Sequence, residues 1–236
     1  VDRRQRQMCI RDRLKVAGAL SLDPRALTMS ASKVWRPRPV DIDGLEIFNT
    51  PYRDMRVNAF LIWDPETKVG AAFDTGTDSS SLVAKATVEG VTIDSIFITH
   101  THNDHIADLD RLKAACPGAG IYSNEAEPWP GTETFSEGDI FSIQGLSVYT
   151  FTTSGHSKGG TTYYITGLSK PVAVVGDAMF AGSMGGGMVS FKDAWNNNRE
   201  KILTLPDETI ICPGHGPMSS IGEEKRNNPF FAADFR

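Results

Sequence analysis

Apolar positions along this chain fall into short runs with a period near two, set apart by turn-forming residues and interrupted by a few stretches of helical period. Residues 45–49, 57–63 and 69–73 read as successive strands, the last two joined by the turn Asp64-Pro65-Glu66-Thr67. This meander ends at Asp74-Thr75-Gly76, and residues 79–88 predict a helix with Asp78 as its N-cap. Residues 93–98 alternate and are rich in β-branched side chains, as in a buried strand, whereas Ile106, Leu109 and Leu112 repeat at helical spacing within 106–115. A short strand is expected near Ile121, and 124–132, with Pro128 and Pro130, is irregular. Strands follow at 140–143, 146–152, 161–166 and 172–175. Then come a flexible glycine-rich loop at 182–187, a helix at 193–203, a strand at 209–212 and a closing helix at 222–227. Two runs of strands, a βαβ step and closing helices fit an α/β fold, an αββα sandwich in which two mixed sheets face each other under outer helices.

The first residues stand apart from this pattern. Residues 1–13 are basic and lack an apolar segment of signal-peptide length, so they are expected to be a non-native or disordered segment. Residues 14–44 read as a lead-in, with a short helix possible over 14–27 and an extended stretch at Pro37 and Pro39, and residues 45–236 as the folded domain. At 236 residues and 40% hydrophobic content, the chain suits one globular domain with a real core. A net charge of −5 argues against a nucleic-acid partner and gives an anionic substrate no global steering, so attraction for one must be local. No apolar run approaches the length of a membrane span. Cys9, Cys116 and Cys212 are sparse and lack Cys-x-x-Cys spacing, which reads as reduced thiols in a cytoplasmic protein. Oligomeric state is not legible.

Chemistry concentrates between the strand at 93–98 and the helix after it. His100, His102, Asp104 and His105 lie within six positions of a strand-to-helix loop. His100 and His102, two apart in extended backbone, point to one side, and Asp104 and His105 fall where the chain turns and can face a second point. One loop can therefore feed two metal ions. The other two of the five histidines, His156 and His215, lie in Gly155-His156-Ser157 and Pro213-Gly214-His215-Gly216-Pro217, each after a strand-like run, and none is left for a structural role. Neutral imidazoles with carboxylates suit zinc or another first-row ion. Ser154, Ser157 and Ser183 have no histidine free to activate them, so solvent is the expected nucleophile.

His100-x-His102-x-Asp104-His105, Gly155-His156-Ser157, Gly176-Asp177 and Gly214-His215-Gly216, in that order, resemble the metallo-β-lactamase superfamily. Residues 176–183, 213–217 and 223–230 are similar to its short glyoxalase II-like (hydroxyacylglutathione hydrolase-like) branch. The resemblance implies two divalent ions, zinc foremost with iron or manganese as alternatives. His100, His102 and His156 would hold one, Asp104, His105 and His215 the other, and Asp177 would bridge them. Asp74 matches an acid that supports the ligand loop without binding metal. The implied reaction is hydrolysis of a thioester or related ester by a metal-bridging hydroxide, which Asp104 would bind and orient, on a small-molecule substrate such as a glutathione thioester. Lys158 could meet a substrate carboxylate or be a solvated turn lysine. Tyr163 and Tyr164, adjacent on one strand, place one ring in the core and offer the other to substrate. Met179, Phe180 and Met184 are core residues or the mouth of a pocket.

Three departures weaken the glutathione part of the resemblance. Only twenty-one residues follow His215, so the helical domain by which full-length glyoxalase II grips glutathione is expected to be missing. The loop after Gly182 also lacks an arginine common in short members, and Ser154 stands where proline is usual. A mononuclear iron persulfide dioxygenase using His100, His156 and Asp177 remains an alternative, as do a lactonase and a β-lactamase, the last disfavoured because its zinc enzymes generally lack a bridging aspartate at the position of Asp177. A closed structural zinc site is disfavoured too, since seven candidate ligands serving two ions leave room for substrate.

Overall fold

The computed structural model describes residues 3–235. Two helices, α1 (Arg3–Ala19) and α2 (Pro24–Ala31), lead into two six-stranded sheets. Of residues 1–13, expected to be a non-native or disordered segment, the first two lie outside the described residues and the rest belong to α1: the stretch has no proline and meets its first glycine only at Gly18, and its Arg, Gln, Met and Leu residues are good helix formers. Asp23 caps α2 by accepting from the Ala26 N–H at 2.6 Å, with Pro24 in the first turn, and its own N–H donates to the Pro229 carbonyl at 2.7 Å. The lead-in is thereby tied to the C-terminal segment.

The first sheet runs in chain order: β1 (Leu45–Tyr52), β2 (Met55–Trp63), β3 (Val69–Phe73), β4 (Thr92–Phe97), β5 (Gly120–Asn124) and β6 (Glu133–Phe135). The first three pair antiparallel and the rest parallel, because α3 (Ser80–Glu89) and the pair α4 (Asn103–Ile106) and α5 (Leu109–Ala115) act as crossovers. In the second sheet β7 (Ile140–Ile143), β8 (Leu146–Thr152), β9 (Thr161–Thr166) and β10 (Val172–Gly176) form a meander. A small hairpin follows, β11 (Met179–Phe180) with β12 (Ser183–Met184), and then α6 (Phe191–Asn197), which continues as a π-helical turn over Asn198–Ile202. β13 (Ile210–Pro213) joins β10 in parallel and β14 (Ser219–Ser220) closes the edge before α7 (Ile221–Asn227).

The order of layers follows from side-chain alternation. In β2, Phe60 and Ile62 enter the core shared with Phe135 of β6 and with Val148, Tyr163, Ile165 and Val174 of the facing sheet. Ala59, Leu61 and Trp63 turn the other way, onto Leu82 and Ala86 of α3 and Leu109 and Leu112 of α5. In β10, Val172 and Val174 face the shared core, whereas Ala173 and Val175 meet Ala194 of α6 and Ile221 of α7. Strands buried on both faces explain why 57–63 and 172–175 read as nearly unbroken apolar runs. The result is the αββα sandwich, helix, sheet, sheet and helix in turn.

Four local features differ from the sequence reading. The helix expected over 106–115 breaks at Ala107 and Asp108, because the Asp108 carboxylate accepts from the N–H and hydroxyl of Ser79 at 2.7 and 2.8 Å and its N–H donates to Thr75 Oγ1. Ser79, not Asp78, is the N-cap of α3, and Asp78 accepts from the Ser80 N–H instead. The 182–187 loop contains β12, and β6 and β14 lie where no strand was expected. Among the described residues Cys116 and Cys212 are free thiols, and no helix is long and apolar enough to cross a membrane.

Candidate metal centre

Four chain crossings deliver the seven expected ligands to one edge of the sandwich. His100 and His102 follow β4, and Asp104 and His105 sit in α4; His156 follows β8, Asp177 follows β10 and His215 follows β13. The Gly214 N–H donates to the Gly176 carbonyl at 2.8 Å, which ties the last two loops together. A side chain at Gly214 would overlap Asp177 Oδ1 and the His105 ring, so glycine before His215 is a steric requirement of the cluster.

The donor atoms fall into overlapping groups whose members lie within 4.8 Å of one another: His100, His102 and His156; His100, His105 and Asp177; and Asp104, His105 and His215. His102 Nδ1 is 3.0 Å from His100 Nε2 and 3.1 Å from His156 Nε2. Asp177 spans both sides, with Oδ2 3.4 Å from His156 Nε2 and 3.3 Å from His215 Nε2, and Oδ1 3.4 Å from His105 Nε2. Asp104 Oδ2 lies 3.3 Å from His215 Nε2. His105 Nε2 and Asp177 Oδ1 are buried without a hydrogen bond to each other or to any described group. Two orphaned buried atoms of ligating type are costly unless a cation joins them, so the residues fit a metal.

The surrounding hydrogen bonds select the ring nitrogen that faces the cluster. His105 Nδ1 donates to Asp74 Oδ2 at 2.7 Å, His156 Nδ1 to the Gly186 carbonyl at 2.9 Å, and His215 Nδ1 to the Arg56 carbonyl at 2.6 Å. The Thr99 hydroxyl donates to Asp74 Oδ2 at 2.7 Å, which leaves its lone pair to accept from His100 Nδ1 at 3.0 Å. With the rings neutral, as metal ligands are, these bonds place the proton on Nδ1 in all four and leave the Nε2 lone pair facing inward, the arrangement a metal ligand needs. His102 instead turns Nδ1 inward. Asp74 also accepts from the Thr99 N–H at 2.8 Å, and its φ of 56° is the left-handed conformation that aspartate tolerates better than most residues. It therefore lies behind the cluster, against Thr99 and His105.

Charge is shared unevenly over the site. Burial works against a proton on His105, but Asp74 and Asp177 on either side outweigh it and push the ring up to about 10. Burial, and then the charge on His105, hold His100 well below the ordinary imidazole range; burial and His156 lower His102. Burial alone would raise Asp177, yet His105 and His215 hold it far below the carboxylate range. The metal-free cluster thus keeps a proton where a cation belongs.

A cleft of about 750 Å³ opens beside Asp177, His156 and His215, walled by Ile47, Asn49, Met55, Arg56 and Asn58 of the β1–β2 hairpin and by Phe180. The three proposed substrate contacts do not line it. Tyr163 is fully buried between the sheets with its hydroxyl donating to the Ile98 carbonyl at 2.7 Å, and Tyr164 packs beside Tyr149 and Phe151 on the second sheet's outer face. Lys158 is exposed outside the cleft, as the solvated turn lysine would be. Of the apolar trio, Phe180 reaches the cleft and Met179 and Met184 are buried.

Several supporting residues escaped the sequence reading. Glu127, in the irregular 124–132 stretch, accepts from the Thr101 N–H and hydroxyl at 2.7 and 2.6 Å and from the Gly159 N–H at 2.8 Å, which clamps the His100–His102 loop to the His156 loop. Asn58 is fully buried and donates to the Pro213 and Gly216 carbonyls on either side of His215. A polar residue inside the apolar run 57–63 was the one signal available for it; Glu127 offered none.

A two-sheet sandwich with a histidine and aspartate cluster at its loop edge defines a metal-dependent enzyme scaffold. The sequence matches the metallo-beta-lactamase superfamily over residues 52–215, and the chain belongs to that superfamily. Hydroxyacylglutathione hydrolase GloC of Haemophilus influenzae is 29% identical over 205 residues, covering 76% of this chain and 95% of that one. The hydroxyacylglutathione hydrolase of Brucella ovis is 33% identical over 175 residues, 73% of this chain and 64% of its own length. The crystal structure of the BLEG-1 B3 metallo-beta-lactamase superposes with a TM-score of 0.69 at 26% identity, covering 78% of this chain and 99% of that one. The chain is a metallo-hydrolase of the superfamily.

Proposed function

We propose that this protein is a binuclear metal-dependent hydrolase of the glyoxalase II-like kind, acting on a thioester or a related ester, with a glutathione thioester as the leading substrate. The observation that carries the reading is the set of inward-facing Nε2 atoms around Asp177, each freed by a hydrogen bond on the far side of its ring. His100, His102 and His156 would hold one ion and Asp104, His105 and His215 the other, with Asp177 available to both. Two divalent ions at such a site supply a Lewis acid and lower the pKa of water enough for hydroxide to exist near neutral pH. Zinc suits this donor set, and iron or manganese is compatible with it.

The residues of the chain then have separable tasks. Asp104 would hold the attacking water in line with the carbonyl carbon, the cleft beside His156 and His215 receives the substrate, and Phe180 shields that side from solvent. Attack forms a C–O bond, the C–S bond breaks, and the thiolate leaves with a proton from solvent. Neither described cysteine competes as nucleophile, because burial raises both thiols above their ordinary range.

The test is elemental analysis of the purified protein followed by release of free thiol from S-lactoylglutathione. Close to two ions per chain with thiol release is expected. One iron per chain without thiol release refutes the hydrolase reading, and oxygen uptake with glutathione persulfide then tests the dioxygenase.

A further inference from the structure

The cleft beside the cluster contains one cationic side chain, Arg56, among its lining residues. Its guanidinium has no carboxylate partner among the described residues, although other Lys and Arg side chains of the chain are paired. It is nevertheless held in place: Nε donates to Asn49 Oδ1 and Nη2 to the Asn49 carbonyl. Asn49 is fixed in turn by its amide donating to Asn58 Oδ1 at 2.6 Å, and Asn58 is anchored to the main chain on both sides of His215. The Arg56 carbonyl takes the His215 Nδ1 proton, so the same residue is tied to the cluster through its backbone.

A guanidinium has five N–H groups, and engaging the Nε edge leaves the Nη1–Nη2 end free. That end presents two parallel donors, the geometry that matches a carboxylate in a bidentate pair. A preorganised cation costs the ligand little ordering on binding. On a chain of net charge −5 it is also the local attraction that an anionic substrate requires.

We propose that Arg56 is a specificity-determining residue that receives a substrate carboxylate end-on, so that the site selects acyl compounds carrying a carboxylate over neutral ones. This rests on the hydrolase reading above for the reaction but not for the binding. Asn49 and Asn58 are the positioning residues that hold the guanidinium toward the cleft.

The experiment compares kcat/KM of the metal-loaded protein for S-lactoylglutathione, an anionic thioester, with that for S-acetyl-N-acetylcysteamine, a neutral one. In Arg56→Gln the ratio of the two is expected to fall by about 10- to 100-fold, the loss that accompanies one charge-assisted bidentate pair, chiefly through KM. Arg56→Lys should recover part of it, and the wild-type ratio should fall as salt rises. An unchanged ratio in Arg56→Gln, or equal losses on both substrates, overturns the proposal. If wild type hydrolyses neither thioester, the hydrolase reading fails by itself. Arg56 is then judged by calorimetric binding of S-methylglutathione, where the same loss in Arg56→Gln supports it and equal affinity, or no binding to wild type, overturns it.

Discussion

Asp74→Asn is an isosteric change that separates packing from proton placement. Asp74 Oδ2 accepts from both Thr99 Oγ1 and His105 Nδ1, each at 2.7 Å, and Oδ1 accepts from the Thr99 N–H at 2.8 Å. Asparagine keeps the shape and tolerates the φ of 56°, but one of its two acceptor positions becomes an NH₂ group. If that group faces His105, it donates to Nδ1, and the neutral ring then carries its proton on Nε2 in place of the lone pair a metal would take. If it faces Thr99, a buried N–H is left without an acceptor. Losing a buried hydrogen bond to a charged acceptor costs about 1.5–3 kcal/mol of stability. Losing the support of a metal-binding histidine typically costs about 10- to 100-fold in affinity or activity, which is about 1.4–2.8 kcal/mol. Zinc titration against a competing chelator dye, with urea unfolding of the metal-free protein, reads both quantities. Weaker binding at one of two sites together with lower stability is expected. A variant that loses stability but binds both ions as tightly as wild type would refute the tautomer argument.

Other substitutions test neighbouring parts of the reasoning. His102→Ala and Asp177→Ala should each lose bound metal and turnover together, and full activity in either, with metal content measured on the same sample, would sink the proposed mechanism. Glu127→Gln keeps one acceptor for the Thr101 and Gly159 N–H groups, and about a tenfold loss of kcat/KM is expected from loosening the two ligand loops; wild-type kinetics would show that the clamp is dispensable. Burial holds the Glu224 carboxyl at about 7, against 4.5 when exposed. The folded chain then keeps a proton that the unfolded chain has lost, so stability falls as pH rises from about 4.5 to 7 and is level above that, by about 3 kcal/mol in all. Glu224→Gln should remove that slope, and urea unfolding of both proteins at pH 5 and 8 checks it: parallel changes would rule it out.

Legibility in the sequence tracked how local the cause was. The strands at 57–63, 69–73 and 172–175 were visible because burial on both faces leaves a continuous apolar run. The His100 to His105 stretch was visible because four donor groups share one loop. By contrast β6, β12 and β14 exist only through their partners, and two or three residues carry no period of their own. The break before α5 depends on Ser79 and Thr75, some thirty positions away from Asp108. The cleft eluded the reading for a similar reason: Asn49, Arg56 and Asn58 lie on one hairpin whose register, not its composition, brings them beside His215. Which of Tyr163 and Tyr164 turns inward stayed open because alternation settles it only once the shared core is known.

The hydrogen bonds behind the histidines divide by chemical origin, and the division bears on how such a site can diverge. His100 and His105 are oriented by side chains, those of Thr99 and Asp74, whereas His156 and His215 are oriented by the carbonyls of Gly186 and Arg56. A mutation can erase the first kind of support, but the second survives any substitution that preserves the path of the backbone. Position 56 can therefore exchange one cleft-facing side chain for another while the same peptide group keeps His215 in its tautomer. Selectivity can drift there over generations without dismantling the ion-binding half beneath it.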